Sequence, residues 1–133
     1  MVFLTTKRIL LIHSMIIDET GGSHGVRDYH TILGLEELPK QKAFGKELYP
    51  TIFLKASIYA RNIIIGHPFL DGNKRTGLTA ASVFLEDNSY KITAEEGEIE
   101  KFALKIIEDR LELESIAAWF KEHSKKNKTK GIH

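Results

Sequence analysis

Within residues 66–77, GHPFLDGNKRTG, a histidine, an aspartate, an asparagine, a lysine and an arginine fall inside nine positions. Small or apolar residues separate them, so the polar side chains gather around Gly72. The apolar patterns on either side place this stretch in a loop that ends at the start of a helix. The first amides of a helix lack internal partners and carry partial positive charge, which stabilises an anion by roughly 0.3–2 kcal/mol. Gly72 lets backbone approach such an anion with no Cβ in the way. Lys74 and Arg75 on the first turn oppose the helix dipole, a cost that a bound anion offsets. Two cations there make poor structural sense and good phosphate-binding sense.

The other members fit the same chemistry. Asp71 can hold a magnesium ion that bridges phosphate oxygens, since magnesium takes one or two carboxylates together with phosphates and water. Asn73 can donate to a phosphoryl oxygen from the helix start, and His67 can take a proton from an attacking hydroxyl. Phe69 alternates with the polar residues and is expected to point inward as an anchor. Base, metal ligand, phosphate cradle and cations are the parts needed for transfer from a nucleotide. Taken singly, each has an ordinary alternative: a structural histidine before Pro68, an Asp-Gly-Asn turn, an arginine paired with a neighbouring acid. A Walker A loop is excluded. Gly66 and Gly72 are one residue too far apart, Asn73 intervenes before Lys74, and the preceding element reads as helix, not strand.

The elements that must position this loop are helical. Leu4 to Ile17 is apolar around most of its surface, with Thr5 or Thr6 as a cap and Gly21-Gly22 as the stop. Residues 23–50 are the least regular part, with a short helix within Val26 to Leu38 and a polar loop between Pro39 and Pro50. Apolar residues at 52, 56, 59, 60 and 63 suit one face of a helix from Thr51 to Ile65. After the loop, Arg75 to Leu85 forms a helix whose Ala80, Ala81 and Ser82 allow close packing at the centre of a bundle. Asn88-Ser89 marks a turn and YKIT an extended link. Thr93 and Glu96 have capping-box spacing before a helix carrying Ile99, Phe102, Ala103, Ile106 and Ile107. A last helix carries Leu113, Ile116, Ala117 and Phe120. The fold class is therefore all-α, with the active-site loop between two central helices and one domain over residues 1–123. Residues 124–133, with Lys125, Lys126, Lys128 and Lys130, read as a basic, flexible tail.

Composition narrows the function classes. No apolar run approaches the ~18 residues of a membrane span, and no signal segment is evident. Cysteine is absent, which excludes disulfides and thiolate-bound metal and makes the cytoplasm the default location. A net charge of +1 does not mark a nucleic-acid binder, so a nucleic-acid partner is not expected. His13, His24, His30 and His123 lack metal-ligand spacing.

The segment HPFLDGNKR (67–75) closely resembles the signature of the Fic/Doc superfamily, His-x-Phe-x-Asp/Glu-Gly-Asn-x-Arg. IHSMIIDETGGSHGVRD (12–28) and SVFLEDNSYKI (82–92) resemble the flanking segments of its Doc (death-on-curing) branch. The resemblance spans most of residues 8–120 and implies a compact Fic-type helical bundle. AMP-transferring Fic enzymes carry glycine after the asparagine and a second arginine three residues past the first; here those positions hold Lys74 and Leu78. The lysine implies a nucleotide bound the other way round, with its γ-phosphate presented. By resemblance the chain is a protein kinase toxin that uses ATP and Mg2+ to phosphorylate a threonine of elongation factor Tu and stop translation. His67 is then the base, Asp71 the magnesium ligand, Gly72 and Asn73 the phosphate contacts, and Lys74 and Arg75 the cations. Pro68, Phe69 and Leu70 shape the loop. The alternatives are an AMP-transferase and an inactive protein-binding module. Some Fic proteins carry an inhibitory Ser/Thr-x-x-x-Glu-Gly/Asn helix, which this chain lacks: the fourth residue after Thr93 is Gly97. Restraint by a Phd-like antitoxin is implied. Residues 29–50, which would include the flap that aligns the target, follow their own course.

Overall fold

Threonine caps set where two of the helices begin. Thr5 accepts a hydrogen bond from the Arg8 N–H at 3.1 Å and starts α1 (Thr6–Thr20). Thr51 accepts from the Leu54 N–H at 3.1 Å and starts α3 (Ile52–Ile64). Each satisfies an amide that the helix itself cannot. In the computed structural model, which describes residues 1–127, the other elements are α2 (Tyr29–Gly34), α4 (Asn73–Asp87), α5 (Glu96–Glu108) and α6 (Leu113–Glu122). Two short antiparallel ribbons complete the described residues: β1 (Lys42–Ala43) with β2 (Lys46–Glu47), and β3 (Tyr90–Ile92) with β4 (Ser124–Lys126). The all-α expectation holds.

The core is built around α3 and α4, which lie against each other with their small residues at the seam. Ala56, Ala60, Ala80 and Ala81 are all fully buried. Gly77 marks the closest approach. A Cβ there would stand 2.7 Å from Ile64 Cγ1 and 3.0 Å from the Ala60 carbonyl oxygen. Ser82, expected at this seam, is only half-buried and faces a groove between α4 and α5 instead. α6 packs on α3 and α5 on α4. The Arg61 guanidinium donates to the Leu111 carbonyl at 2.8 Å, tying α3 to the turn before α6. No helix among the described residues is long and apolar enough to cross a membrane.

Three local expectations change. Residues 39–50, read as a polar loop, contain the β1–β2 hairpin. Its base is held by the fully buried Lys55 of α3, whose ammonium donates to the Tyr49 carbonyl and pairs with Glu47 at 3.0 Å. Periodicity places an amine on an apolar helix face without showing that a carbonyl and a carboxylate await it there. The link YKIT is strand β3, and its partner is Ser124–Lys126, the start of the expected tail; Lys128 and Lys130 lie outside the described residues. The cap of α5 is Glu95, whose N–H donates to Glu98 at 3.3 Å, instead of Thr93 with Glu96. Thr93 is committed elsewhere, its N–H donating to the His123 carbonyl at 2.7 Å beside the ribbon.

The seam predicts opposite signs for one chemical change. Gly77→Ala overpacks a contact with backbone and destabilises by about 1–3 kcal/mol after subtracting the helix-propensity gain. Gly97→Ala in α5, where nothing lies within 4 Å of the added carbon, stabilises by up to ~1 kcal/mol. Urea denaturation of the two variants measures both.

Candidate active site

The polar cluster sits where α3 ends and α4 begins. His67 follows the last turn of α3 with φ +53°, a left-handed conformation in which its N–H returns to the Ile63 carbonyl at 3.1 Å. Glycine usually terminates helices in this way; a side chain there costs on the order of 1 kcal/mol. The residue that takes this strain is His67, held exposed at the helix end. Pro68 and Phe69 are buried behind it, so the inward anchor expected of Phe69 is present.

Helix α4 opens at Gly72, whose φ of +79° is the left-handed value that glycine adopts without penalty. No side chain caps this end. The first internal bond is Thr76 N–H to the Gly72 carbonyl at 2.9 Å, so the amides of Asn73, Lys74 and Arg75 precede it. This is the bare helix start that an anion requires. Lys74 is exposed, and its side chain makes no hydrogen bond or ion pair among the described residues. Arg75 pairs with Glu96 of α5 at 3.0 Å, the neighbouring-acid alternative. Both side chains are about half or more exposed, so the pair contributes at most ~1 kcal/mol and yields readily to a polyphosphate.

Asn73 departs from the expected arrangement. Its side chain is buried, and its carbonyl accepts from the Phe69 N–H at 3.0 Å while its amide donates to the Phe69 carbonyl at 2.9 Å. The second amide hydrogen reaches His67 Nδ1 at 3.1 Å. With both hydrogens taken, what remains for a phosphate is the Asn73 backbone N–H. Asp71 carries an exposed carboxylate, and one oxygen accepts from the Ser23 N–H at 2.7 Å. The other oxygen is a sufficient protein contribution for magnesium, which draws most of its ligands from phosphate and water. No group of three or more metal-ligating side chains exists among the described residues.

Two supports of the loop were not legible as functional residues. The first is the segment after α1. Arg27 and Asp28 N–H groups donate to the Pro68 carbonyl at 2.7 and 2.9 Å, and the Leu70 N–H donates to the Gly25 carbonyl at 3.0 Å. Val26 and Phe69 form an antiparallel bridge. The second is His13 of α1, 2% exposed, whose ring stacks on Phe69 (centroids 3.7 Å apart, planes at 8°) and whose Nε2 donates to the Asp71 carbonyl at 2.8 Å. The only signal for either was that residues 12–28 resemble the Doc branch; no spacing rule identifies them.

Burial pushes the His13 imidazole below its ordinary value, an effect only partly countered by its bond to the Asp71 backbone. The unfolded chain then binds the proton more readily than the folded one, so stability rises with pH in this window. It falls as pH drops from the ordinary imidazole value through the lowered folded value, and levels off below. His13→Gln keeps an N–H donor but does not titrate, so it flattens that portion of a thermal-stability profile recorded without metal. An equal slope in the variant would acquit His13.

Comparison with known proteins agrees with this geometry. The chain matches the Fic/DOC family over residues 3–85, more than half its length and the whole of the loop with its supports. It is 33% identical over 75 residues to a protein named Toxin Doc from Mycolicibacterium smegmatis (strain ATCC 700084 / mc(2)155). That alignment covers 56% of this chain and 58% of the relative, so the chain spans little more than half of the protein it matches. This chain, a helical bundle with its HPFLDGNKR loop set at a bare helix start, belongs to the Fic/DOC family.

Proposed function

We propose that this chain is a Doc-like toxin that transfers the γ-phosphoryl group of ATP to a protein hydroxyl, with a threonine of elongation factor Tu as the target. The observation that carries the reading is the uncapped start of α4: the amides of Asn73, Lys74 and Arg75 are unpaired, Gly72 is left-handed, and the same turn touches His67 through the 3.1 Å contact from Asn73. The target oxygen attacks the γ-phosphorus, the bond from that phosphorus to the bridging oxygen breaks, and ADP leaves with the electron pair. The hydroxyl proton passes to His67. Preorganised backbone amides, with Lys74 and with Arg75 once it has left Glu96, hold the developing charge, and such electrostatic stabilisation is where most of the acceleration of these reactions originates. Magnesium on Asp71 adds charge neutralisation when bound.

Leu78 supports phosphoryl over adenylyl transfer. It is buried and apolar at the position where AMP-transferring members carry their second arginine, so this helix offers phosphates no cation beyond Arg75 on that face. A translation target places the activity in the cytoplasm, and a toxin without an inhibitory helix of its own needs a Phd-like antitoxin as partner.

Incubation with γ-labelled ATP, Mg2+ and elongation factor Tu is expected to label the target, and His67→Ala to lower the rate by about 10²–10⁴-fold. Label arriving only from α-labelled ATP would make the chain an AMP-transferase. Wild-type expression no more toxic than His67→Ala expression would make it a binding module. Lys74→Gly is expected to raise the share of AMP transfer, and an unaltered product would show that Lys74 does not orient the nucleotide.

A further inference from the structure

Which nitrogen of His67 can receive a proton is decided by Asn73. The orientation of the Asn73 amide is fixed by two backbone groups of opposite kind. The Phe69 N–H can only donate, so the atom facing it is Oδ1; the Phe69 carbonyl can only accept, so the atom facing it is Nδ2. Turning the amide over would set two donors against each other and two acceptors against each other, inside a residue only 3% exposed. The group 3.1 Å from His67 Nδ1 is therefore an N–H donor, and Nδ1 must supply a lone pair to it. A neutral imidazole has one lone pair and one N–H. With the lone pair at Nδ1, the proton resides on Nε2.

We infer that Asn73 is a positioning residue that holds His67 in the Nε2–H tautomer, with its one lone pair engaged by the Asn73 amide. This rests on the phosphotransfer reading for its consequence. In the arrangement described, His67 can donate from Nε2 but cannot deprotonate a hydroxyl, because Nε2 carries a proton and Nδ1 is covered. The target hydroxyl can be served by Nδ1 only after the bond from the Asn73 N–H opens. Its proton then moves onto Nδ1, giving an imidazolium protonated on both nitrogens, while the electron pair of the O–H bond forms the new bond to phosphorus.

The tautomer is read directly from long-range proton–nitrogen correlation spectra of the full chain labelled with ¹⁵N-histidine, recorded well above the ordinary imidazole range without nucleotide or target. His67 is assigned by the signals that vanish in His67→Ala. The expected pattern is protonated Nε2 with a hydrogen-bonded, unprotonated Nδ1. Asn73→Ala is expected to move the Nδ1 resonance towards that of a free acceptor and to let both tautomers appear. A wild-type ring protonated on Nδ1 overturns the inference, as does a spectrum unmoved by Asn73→Ala. If Asn73→Ala does not fold, the wild-type tautomer decides alone. Because no substrate is present, absent phosphotransfer leaves the assignment of the tautomer untouched, and a wrong tautomer defeats it even if transfer occurs.

Discussion

The polar groups of the site project from a short loop and the first turn of α4, whose joint shape depends on one clasp: the Asn73 amide closed in both directions on the backbone of Phe69. The clasp fixes the separation between the end of α3 and the start of α4. It settles both polar backbone groups of a buried residue, which would otherwise cost about 1–3 kcal/mol each. It also passes rigidity outward, because the same amide touches His67. The surrounding layers reinforce the loop from outside: His13 lies flat on the Phe69 ring, and the strand-like run from Gly25 to Asp28 bonds to Pro68 and Leu70. A loop held on three sides can keep a row of unpaired amides open to solvent without collapsing over them.

The electrostatics of the loop follow from what the clasp leaves free. A helix start with no capping side chain and a lysine and an arginine on its first turn is unfavourable until something negative arrives. Part of that cost is relieved by Glu96, which reaches from α5 to Arg75. Lys74 has no such relief among the described residues. The two cations therefore differ before any ligand binds: one must exchange a carboxylate for a phosphate, and the other only loses water.

What the sequence revealed divides along the same physical lines. Helix type and the central position of the loop were legible, since 3.6-residue periodicity, Thr caps and Gly21-Gly22 are local signals. So were His67, Asp71, Gly72, Lys74 and Arg75 as a cluster, because they are adjacent in the chain. Illegible was whatever depends on distant partners. Nothing near Lys55 announces Glu47 and Tyr49, and nothing near YKIT announces a strand more than thirty residues later. Asn73 is the instructive case: its residue type suits a phosphate contact and a loop clasp equally well, and only the position of Phe69 decides between them.

The unusual termination of α3 has an evolutionary corollary. A position that demands a left-handed backbone is occupied by an imidazole where the chain alone would favour glycine. Exchange for glycine would relax the polypeptide while removing the imidazole, so thermal robustness and the proposed base pull this site in opposite directions. A glycine variant at position 67 is thus a more comfortable polypeptide with no proton acceptor at the end of α3.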